Sequence, residues 1–377
     1  MPNRPLLLVL LTLCTTAPLI AKAEPRAPGI THSPRYAKNF EIADFGTHRI
    51  ATVRNTQRCS TATHQYALVA KGAPLPDLAP QIAVIRTPIE RVVVMETVYI
   101  GYLEALGKLD TIVGAATTDY ISNTDVRAAI DAGSIAKVQT GAALNVERML
   151  LLQPELILTT SSGSPAFDLP AKLARAGLPV VLSAGYMEQH PLARAEWVKF
   201  IAAFFDADAQ ASQCFERIAA RYESLCQTVA HIEQPPSVFC GAPYAGAWHV
   251  AGGQSYTAQT IRDAGGHYLW SDTPGSGATP LDTERVFLKA AHADIWLHPS
   301  FYQSHNELYA ADARFAKFHA AQRGQVFNNT KQRTASGANP IWEKGMVQPD
   351  QVLADLIKIF HPELMPDAEF VYYEALN

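Results

Sequence analysis

The stretch FDADAQASQCFERIAARYESLCQTVAHIEQPP, residues 205–236, decides how this chain is read. Asp206 stands where a helix N-cap is wanted, and the pair Pro235 and Pro236 cannot continue a helix. Between them Phe215, Ile218, Ala219, Tyr222, Leu225, Cys226 and Val229 recur on one face at helical spacing. No Gly or Pro interrupts the run. The spacing predicts one helix of about 26 residues, roughly 39 Å long. Such a helix is a stiff strut for whatever lies on its two sides.

Both sides read alike. Before the strut, a strand at 91–95 is followed by a helix at 98–106 and a strand at 111–114. A helical segment at 145–150 then leads into a strand at 156–158, and a helix at 169–176 with a strand at 179–182 closes the block. After the strut come a strand at 237–240, a helix at 255–264 and an apolar segment at 268–270. A helical segment at 282–287 leads into a strand at 295–297, and a helix at 311–321 with a strand at 325–327 ends this block. Alternating strands and helices make parallel sheets covered by helices. The segments N-V-E-R (145–148) and D-T-E-R (282–285) hold equivalent places in a duplicated unit. The expected α/β fold has two three-layer lobes with mainly parallel sheets, joined by a single long helix, with a cleft at the carboxyl ends of the strands. The expected division is 1–23 signal peptide, 24–90 N-terminal extension with a β-hairpin and linker, 91–190 first lobe, 191–234 linking segment and 235–377 second lobe. The competing reading is one continuous α/β domain with an accidental repeat.

The chain has 377 residues, 48% hydrophobic and 18% charged, with a formal net charge of -4. That balance suits a folded protein of about two domains and lacks the basic stripes that nucleic acid wants. Arg4, the apolar run 6–13 and Ala21-Lys22-Ala23 before Glu24 form a signal peptide, too short to span a bilayer. Export to the periplasm as a soluble protein is expected. Cys14 raises a lipid anchor instead, although Leu13 before it is not the small residue such a signal takes. Of the other cysteines, Cys214 and Cys226 lie about 18 Å apart along one helix and cannot pair with each other. A bridge must link the strut to Cys59 or Cys240, or none forms. Residues 40–42, 49–53 and 66–69 alternate as strands, with Gly46-Thr47 as a hairpin turn, giving a small β appendage; 72–80 reads as a linker.

Enzyme motifs are missing: there is no G-x-S-x-G, H-E-x-x-H or P-loop. No catalytic residue, cofactor or resident metal is expected. Gly252-Gly253 before Ser255 reads as a sharp turn rather than a phosphate cradle. His249, His267, His292 and His298 could serve Zn²⁺ or Mn²⁺ with a carboxylate, but nothing in their spacing favours that over surface or core histidines. The loops expected at the cleft say more. They carry Tyr99, Tyr102, Tyr120, residues 161–164 and Tyr186 from the first half, and Tyr244, Trp248, Tyr256, Phe301 and Tyr302 from the second. A late loop, 328–342, adds Lys331, Arg333 and Trp342. Tyr99, Tyr120, Tyr244, Trp248, Tyr256, Tyr302, Arg333 and Trp342 are the candidate ligand contacts. Rigid rings with polar tips beside a forked cation suit a bulky, partly apolar, oxygen-rich ligand. Glu147 and Glu284 each open a short helix, whose N-terminus stabilises a carboxylate. Two matched acids on two lobes also make a two-point plug for a partner bearing arginines.

Two lobes on one long helix, with N-x-E-R before an L-x-P-E-L-I-L strand, resemble the substrate-binding proteins of iron-chelate and vitamin B12 ABC importers. The resemblance runs from about Val92 to Leu364 and includes the closing stretch N-P-I-W-E-K-G (339–345), P-D-Q-V-L-A-D-L (349–356) and H-P-E-L (361–364). It implies a monomeric binding protein whose linking helix limits lobe motion, with Glu147 and Glu284 docking on arginines of an inner-membrane ABC permease. B12 binders carry aromatics just before N-x-E and just after the L-x-L strand. Here those places hold Gln139-Thr140-Gly141 and Thr159-Thr160-Ser161, and only Tyr120 matches a corrin-stacking position. A ferric chelate, siderophore or haem, is therefore expected ahead of cobalamin. A secreted enzyme or a Zn/Mn-binding protein using the same cleft are the further alternatives.

Overall fold

Strands that are apolar residue after residue need cover on both faces, and the main sheet of each lobe has it. The computed structural model describes residues 29–54, 62–141, 143–161 and 169–377. The signal segment with Cys14, Cys59 and residues 162–164 lie outside the described residues. In the first lobe the strands Val180–Ser183, Leu156–Thr160, Val92–Val94, Ile112–Ala115 and Ala136–Lys137 lie side by side in that order, all parallel. Val92, Val94, Leu156 and Leu158 face the main core. Val93, Met95 and Ile157 face the other way, onto Met149 and Leu173 of the helices Val146–Leu152 and Leu169–Arg175. In the second lobe the order is His267–Tyr268, Ser237–Cys240, Ile295–Leu297, Val326–Asn328 and Glu374–Ala375, parallel except for the last pair. Its core is aromatic: Phe239 stacks on Trp296 at 5.0 Å, and Phe287 stacks on Phe318 at 4.5 Å.

One unbroken helix, Asp208–Val229, joins the two lobes. Its 22 residues span roughly 33 Å, shorter than the sequence spacing suggested at both ends. Asp206 does not cap it, because its backbone is left-handed at φ 50° and a cap needs the extended region. Ala207 takes the cap position with no side-chain hydrogen bond. The carboxylates of Asp206 and Asp208 instead hold Arg49 of the extension, at 3.6 and 2.9 Å. At the far end the helix stops at Ala230, before the prolines are reached. Phe215, Ile218, Ala219 and Tyr222 are buried along it, against the helices Pro191–Ala202 and Pro349–Phe360. The strut is thus packed along its length.

The N-terminal extension is larger than a hairpin. Gly29–His32, Phe40–Asp44, Arg49–Arg54, Thr63–Ala70 and Ala83–Thr87 form a five-stranded sheet in chain order. Gly46 turns the expected hairpin at φ 77°. The irregular stretch over 72–80 ends in a strand parallel to Thr63–Ala70 that the sequence pattern did not show. This sheet shares the main core through Phe40, Val53, Leu68 and Ile85. Leu182 donates its amide to the Tyr66 hydroxyl at 2.9 Å, tying the extension to the first lobe's edge strand. Cys214, Cys226 and Cys240 are free thiols, with Cys214 and Cys240 buried. Among the described residues no helix is long and apolar enough to cross a membrane.

Candidate functional site

Parallel strands deliver their carboxyl ends to one edge, and the loops that follow carry the exposed aromatics. From the first lobe the turn after Ile112–Ala115 presents Tyr120. From the second, the hairpin after Ser237–Cys240 presents Tyr244 and the loop after Ile295–Leu297 presents Phe301. Four non-glycine residues in these loops are left-handed: Thr117, Ala245, His298 and Ser300, at φ 46–58°. Such geometry costs on the order of 1 kcal/mol each and persists where the surroundings impose it.

A strap from the second lobe crosses to the first along one side of the cleft. Ser336 donates to the Asp119 carbonyl at 3.2 Å, and the Ser122 amide donates to Glu343 Oε2 at 3.0 Å. Lys344 reaches Glu104 at 3.4 Å. Gly101 lies so close to the Glu343 carbonyl that a Cβ there would collide with it. The late loop over 328–342 is therefore a structural seam as well as a carrier of side chains.

Beside the seam is a cavity of about 320 Å³. Its lining includes Arg194, Tyr256, His249, His298, Trp342 and Tyr373. The antiparallel ribbon Ala247–Ala251 turns His249 and Ala251 toward it and Trp248 and Val250 away. Tyr244, the cross-strand partner of Ala247, stands on the same face as His249. The Asp355 carboxylate accepts the amides of Val371, Tyr372 and Tyr373 and so pins the chain end onto the helix Pro349–Phe360. The Tyr373 hydroxyl then meets His298 Nε2 at 2.6 Å. Burial holds the His298 pKa down at about 4, so the ring is neutral at ordinary pH. Asp355→Ala strands three amides, two of them buried, and is expected to cost on the order of 3 kcal/mol of stability, read from denaturant midpoints; an unchanged midpoint would contradict this anchor.

Arg194 governs the cavity's charge. Its Nε donates to the Glu188 carbonyl at 2.9 Å and an Nη to the Tyr186 carbonyl at 3.0 Å. Its guanidinium lies 4.3 Å from the Tyr256 ring centroid. Its own carbonyl accepts from the Tyr102 hydroxyl of the first lobe at 2.7 Å. Among the described residues no carboxylate pairs with it. Burial lowers its pKa, yet a guanidinium stays charged in a protein. Arg333, also without an ion pair among the described residues, lies over Phe301 at 5.4 Å on the neighbouring loops. Glu188 lies near enough to act on Arg194, but neither guanidinium has an ion pair among the described residues.

Not every expected contact lies here. Tyr99 is fully buried, its hydroxyl 2.9 Å from Ser183 Oγ, and Trp248 is fully buried with Nε1 donating to the Cys240 carbonyl. Both are core residues, because their positions face the sheets rather than the loops. Tyr120, Tyr244 and Trp342 are exposed, Tyr256 and Trp342 line the cavity, and Tyr302 is half-buried with its carbonyl accepting from Asn328. Arg194, Tyr373 and Met346 are lining residues that the sequence reading passed over. Gly252 and Gly253 pack against the backbone of Gly275 and Ser271, as a tight turn requires. Of the four histidines weighed for a metal, His249 and His298 line the cavity. Among the described residues no group of three or more metal-ligating side chains is assembled.

At the first lobe's carboxyl edge, Glu96 is half-buried. Its Oε1 accepts from Thr159 and from the amide and hydroxyl of Thr160, while Oε2 has no partner among the described residues. Burial pushes its pKa from 4.5 to about 7. Between those values the folded chain holds the proton more tightly than the unfolded chain, so stability falls as pH rises through that window, by on the order of 3 kcal/mol. Glu96→Gln is expected to flatten this loss between pH 5 and pH 8; an equally steep loss in the variant would assign it elsewhere.

Residues 92–332 match a family described as periplasmic binding protein. An uncharacterized lipoprotein of Methanocaldococcus jannaschii is 26% identical over 372 residues, 92% of this chain and 86% of that protein. A periplasmic heme binding protein from Pseudomonas aeruginosa is similar in structure with a TM-score of 0.57 and 17% identity, over 77% of this chain and 98% of that one. A possible iron-binding (periplasmic solute-binding) protein from Staphylococcus epidermidis has a TM-score of 0.55 and 19% identity, over 72% and 99%. These structural likenesses show a shared fold.

Proposed function

The chain belongs to the periplasmic binding protein family, and from that premise we propose that it captures an anionic ferric chelate in the inter-lobe cleft and delivers it to an inner-membrane ABC permease. Arg194 carries this reading: a half-buried cation at the cavity wall, bonded to carbonyls and with no ion-pair partner among the described residues, calls for a carboxylate from the ligand. At about 320 Å³ the cavity is at the small end for a ligand site, so it takes one anionic arm of a larger molecule. The exposed rings of Tyr120, Tyr244, Phe301 and Trp342 then cover the apolar remainder, and Arg333 meets a second anionic group. Ferric siderophores and haem combine those features, whereas a corrin rimmed by neutral amides would leave the two forks unmatched. One similar structure described as heme binding and another as possibly iron-binding support the same class.

Binding, with no bond made or broken, is the whole of the proposed activity. Glu147 and Glu284 serve the delivery step, docking on permease arginines. Export by cleavage before Glu24 is the proposed route; the lipoprotein description of the relative supports a second form anchored at Cys14, and the intact mass of the mature protein separates them. The test of the binding reading is titration of tryptophan fluorescence with ferric siderophores, haem and cobalamin. Saturable quenching by a ferric chelate is expected. Quenching by cobalamin alone, or by none of the three, would overturn the choice of ligand.

A further inference from the structure

Among the described residues the two most exposed large apolar side chains are Leu288, at 85%, and Leu151, at 83%. Each stands four residues after one of the matched glutamates, Glu284 and Glu147, on the helices Thr283–Ala290 and Val146–Leu152. A spacing of four places a side chain on the same helical face, one turn further along. The duplicated unit therefore repeats an acid followed by an apolar knob, once on each lobe. Leu151 and Leu288 do no packing work: the buried faces of these helices belong to Met149 and to Val286 and Ala290. A surface groove flanks each helix. One, of about 500 Å³, runs along Asn145, Val146 and Glu147; the other, of about 620 Å³, is walled by Trp270, Leu281 and Leu288.

Resting on the docking reading above, we infer that Leu151 and Leu288 are paired apolar knobs that seat in two equivalent sockets of a two-fold symmetric membrane permease, each beside a cation that receives the neighbouring glutamate. The same acid-plus-knob pattern at both lobe tips fits a partner that offers the same cation-plus-socket pattern twice. A second copy of this chain is the competing occupant, since Arg148 and Arg285 stand beside the glutamates, and the crosslinks below separate the two. One exposed leucine is ordinary on a protein surface. The same residue at the same distance from a matched acid on both lobes is the observation that points to an interface, where an apolar anchor with a charged neighbour is how contacts hold.

The test places the photo-crosslinker p-benzoylphenylalanine at position 147, 284, 151 or 288 of the full chain in its own cells, with exposed Leu75 on the extension as control. Crosslinks from 151 and 288, but not 75, to a protein whose peptides span several membrane helices are expected. Crosslinks from 147 and 284 alone would overturn the knobs and leave the docking reading standing. No membrane-protein crosslink from any of the four would overturn both, and a crosslink between two copies of this chain would make the surface a dimer contact instead. Leu151→Ser with Leu288→Ser is further expected to lower the fraction sedimenting with membrane vesicles by about tenfold or more; an unchanged fraction counts against the knobs.

Discussion

Arg194→Ala weakens binding of the ferric chelate by about 100-fold, the expected cost of leaving a ligand carboxylate in the cavity without its fork. The variant also loses the bonds to the carbonyls of Glu188 and Tyr186 and the stacking on Tyr256, so some stability goes with it. Affinity must therefore be compared at temperatures where both proteins are folded. Arg194→Lys separates charge from geometry: it keeps the cation but not the planar fork, and is expected to recover part of the affinity. Wild-type affinity in Arg194→Ala would remove the reason for calling the ligand anionic. The loss should fall mainly on dissociation, since affinity differences between variants of one site lie mostly in the off-rate.

Glu147→Lys together with Glu284→Lys abolishes uptake of the chelate by cells while leaving its affinity in solution within about twofold. The two sites are not equal beforehand. Glu284 lies 3.1 Å from Arg314, which also holds Asp312 at 2.7 Å, whereas Glu147 has no ion pair among the described residues. The hydrogen bond from its own backbone amide, then Arg314, keeps the Glu284 carboxyl below its usual range. A fully solvated ion pair contributes little, so Arg314 can yield to a permease arginine or remain as a third member. Glu147→Lys alone is accordingly expected to be at least as damaging as Glu284→Lys alone. A matching loss of ligand affinity in the double variant would instead place these acids in ligand binding.

Both predictions rest on a fold whose skeleton could be read before any coordinates. The recurrence of N-V-E-R and D-T-E-R, each followed by an apolar strand, gave away the duplication, because parallel strands buried on both faces leave unmistakable runs such as 156–158. The joining helix was equally legible from its apolar stripe. Its ends were not: Asp206 has the right side chain for a cap but a left-handed backbone, and composition does not report φ. The strands Gly29–His32 and Ala83–Thr87 escaped because they are the short edges of the sheet, each held by a single neighbour and lacking a clear apolar alternation.

The site was less legible than the fold. Tyr99 and Trp248 belong to the core, and for Trp248 the signal was present: in A-W-H-V-A, residues 247–251, alternation puts Trp248 and Val250 on one face and His249 on the other. Arg194 was overlooked inside P-L-A-R-A-E-W-V-K-F, residues 191–200. A helix with Leu192, Trp197, Phe200 and Ile201 buried had to place its arginine against something polar. Tyr373 and Met346 reach the cavity from the chain's last third through the Asp355 anchor and the seam. Their roles come from tertiary placement that no local pattern encodes.

Native mass spectrometry of the protein released from its own cells tests the central claim most directly. The account predicts a non-covalent complex with one iron-containing anionic molecule per chain, lost on acid treatment and absent from Arg194→Ala. A chain that carries a bare metal ion, a neutral corrinoid or a covalently altered product in that place would contradict it.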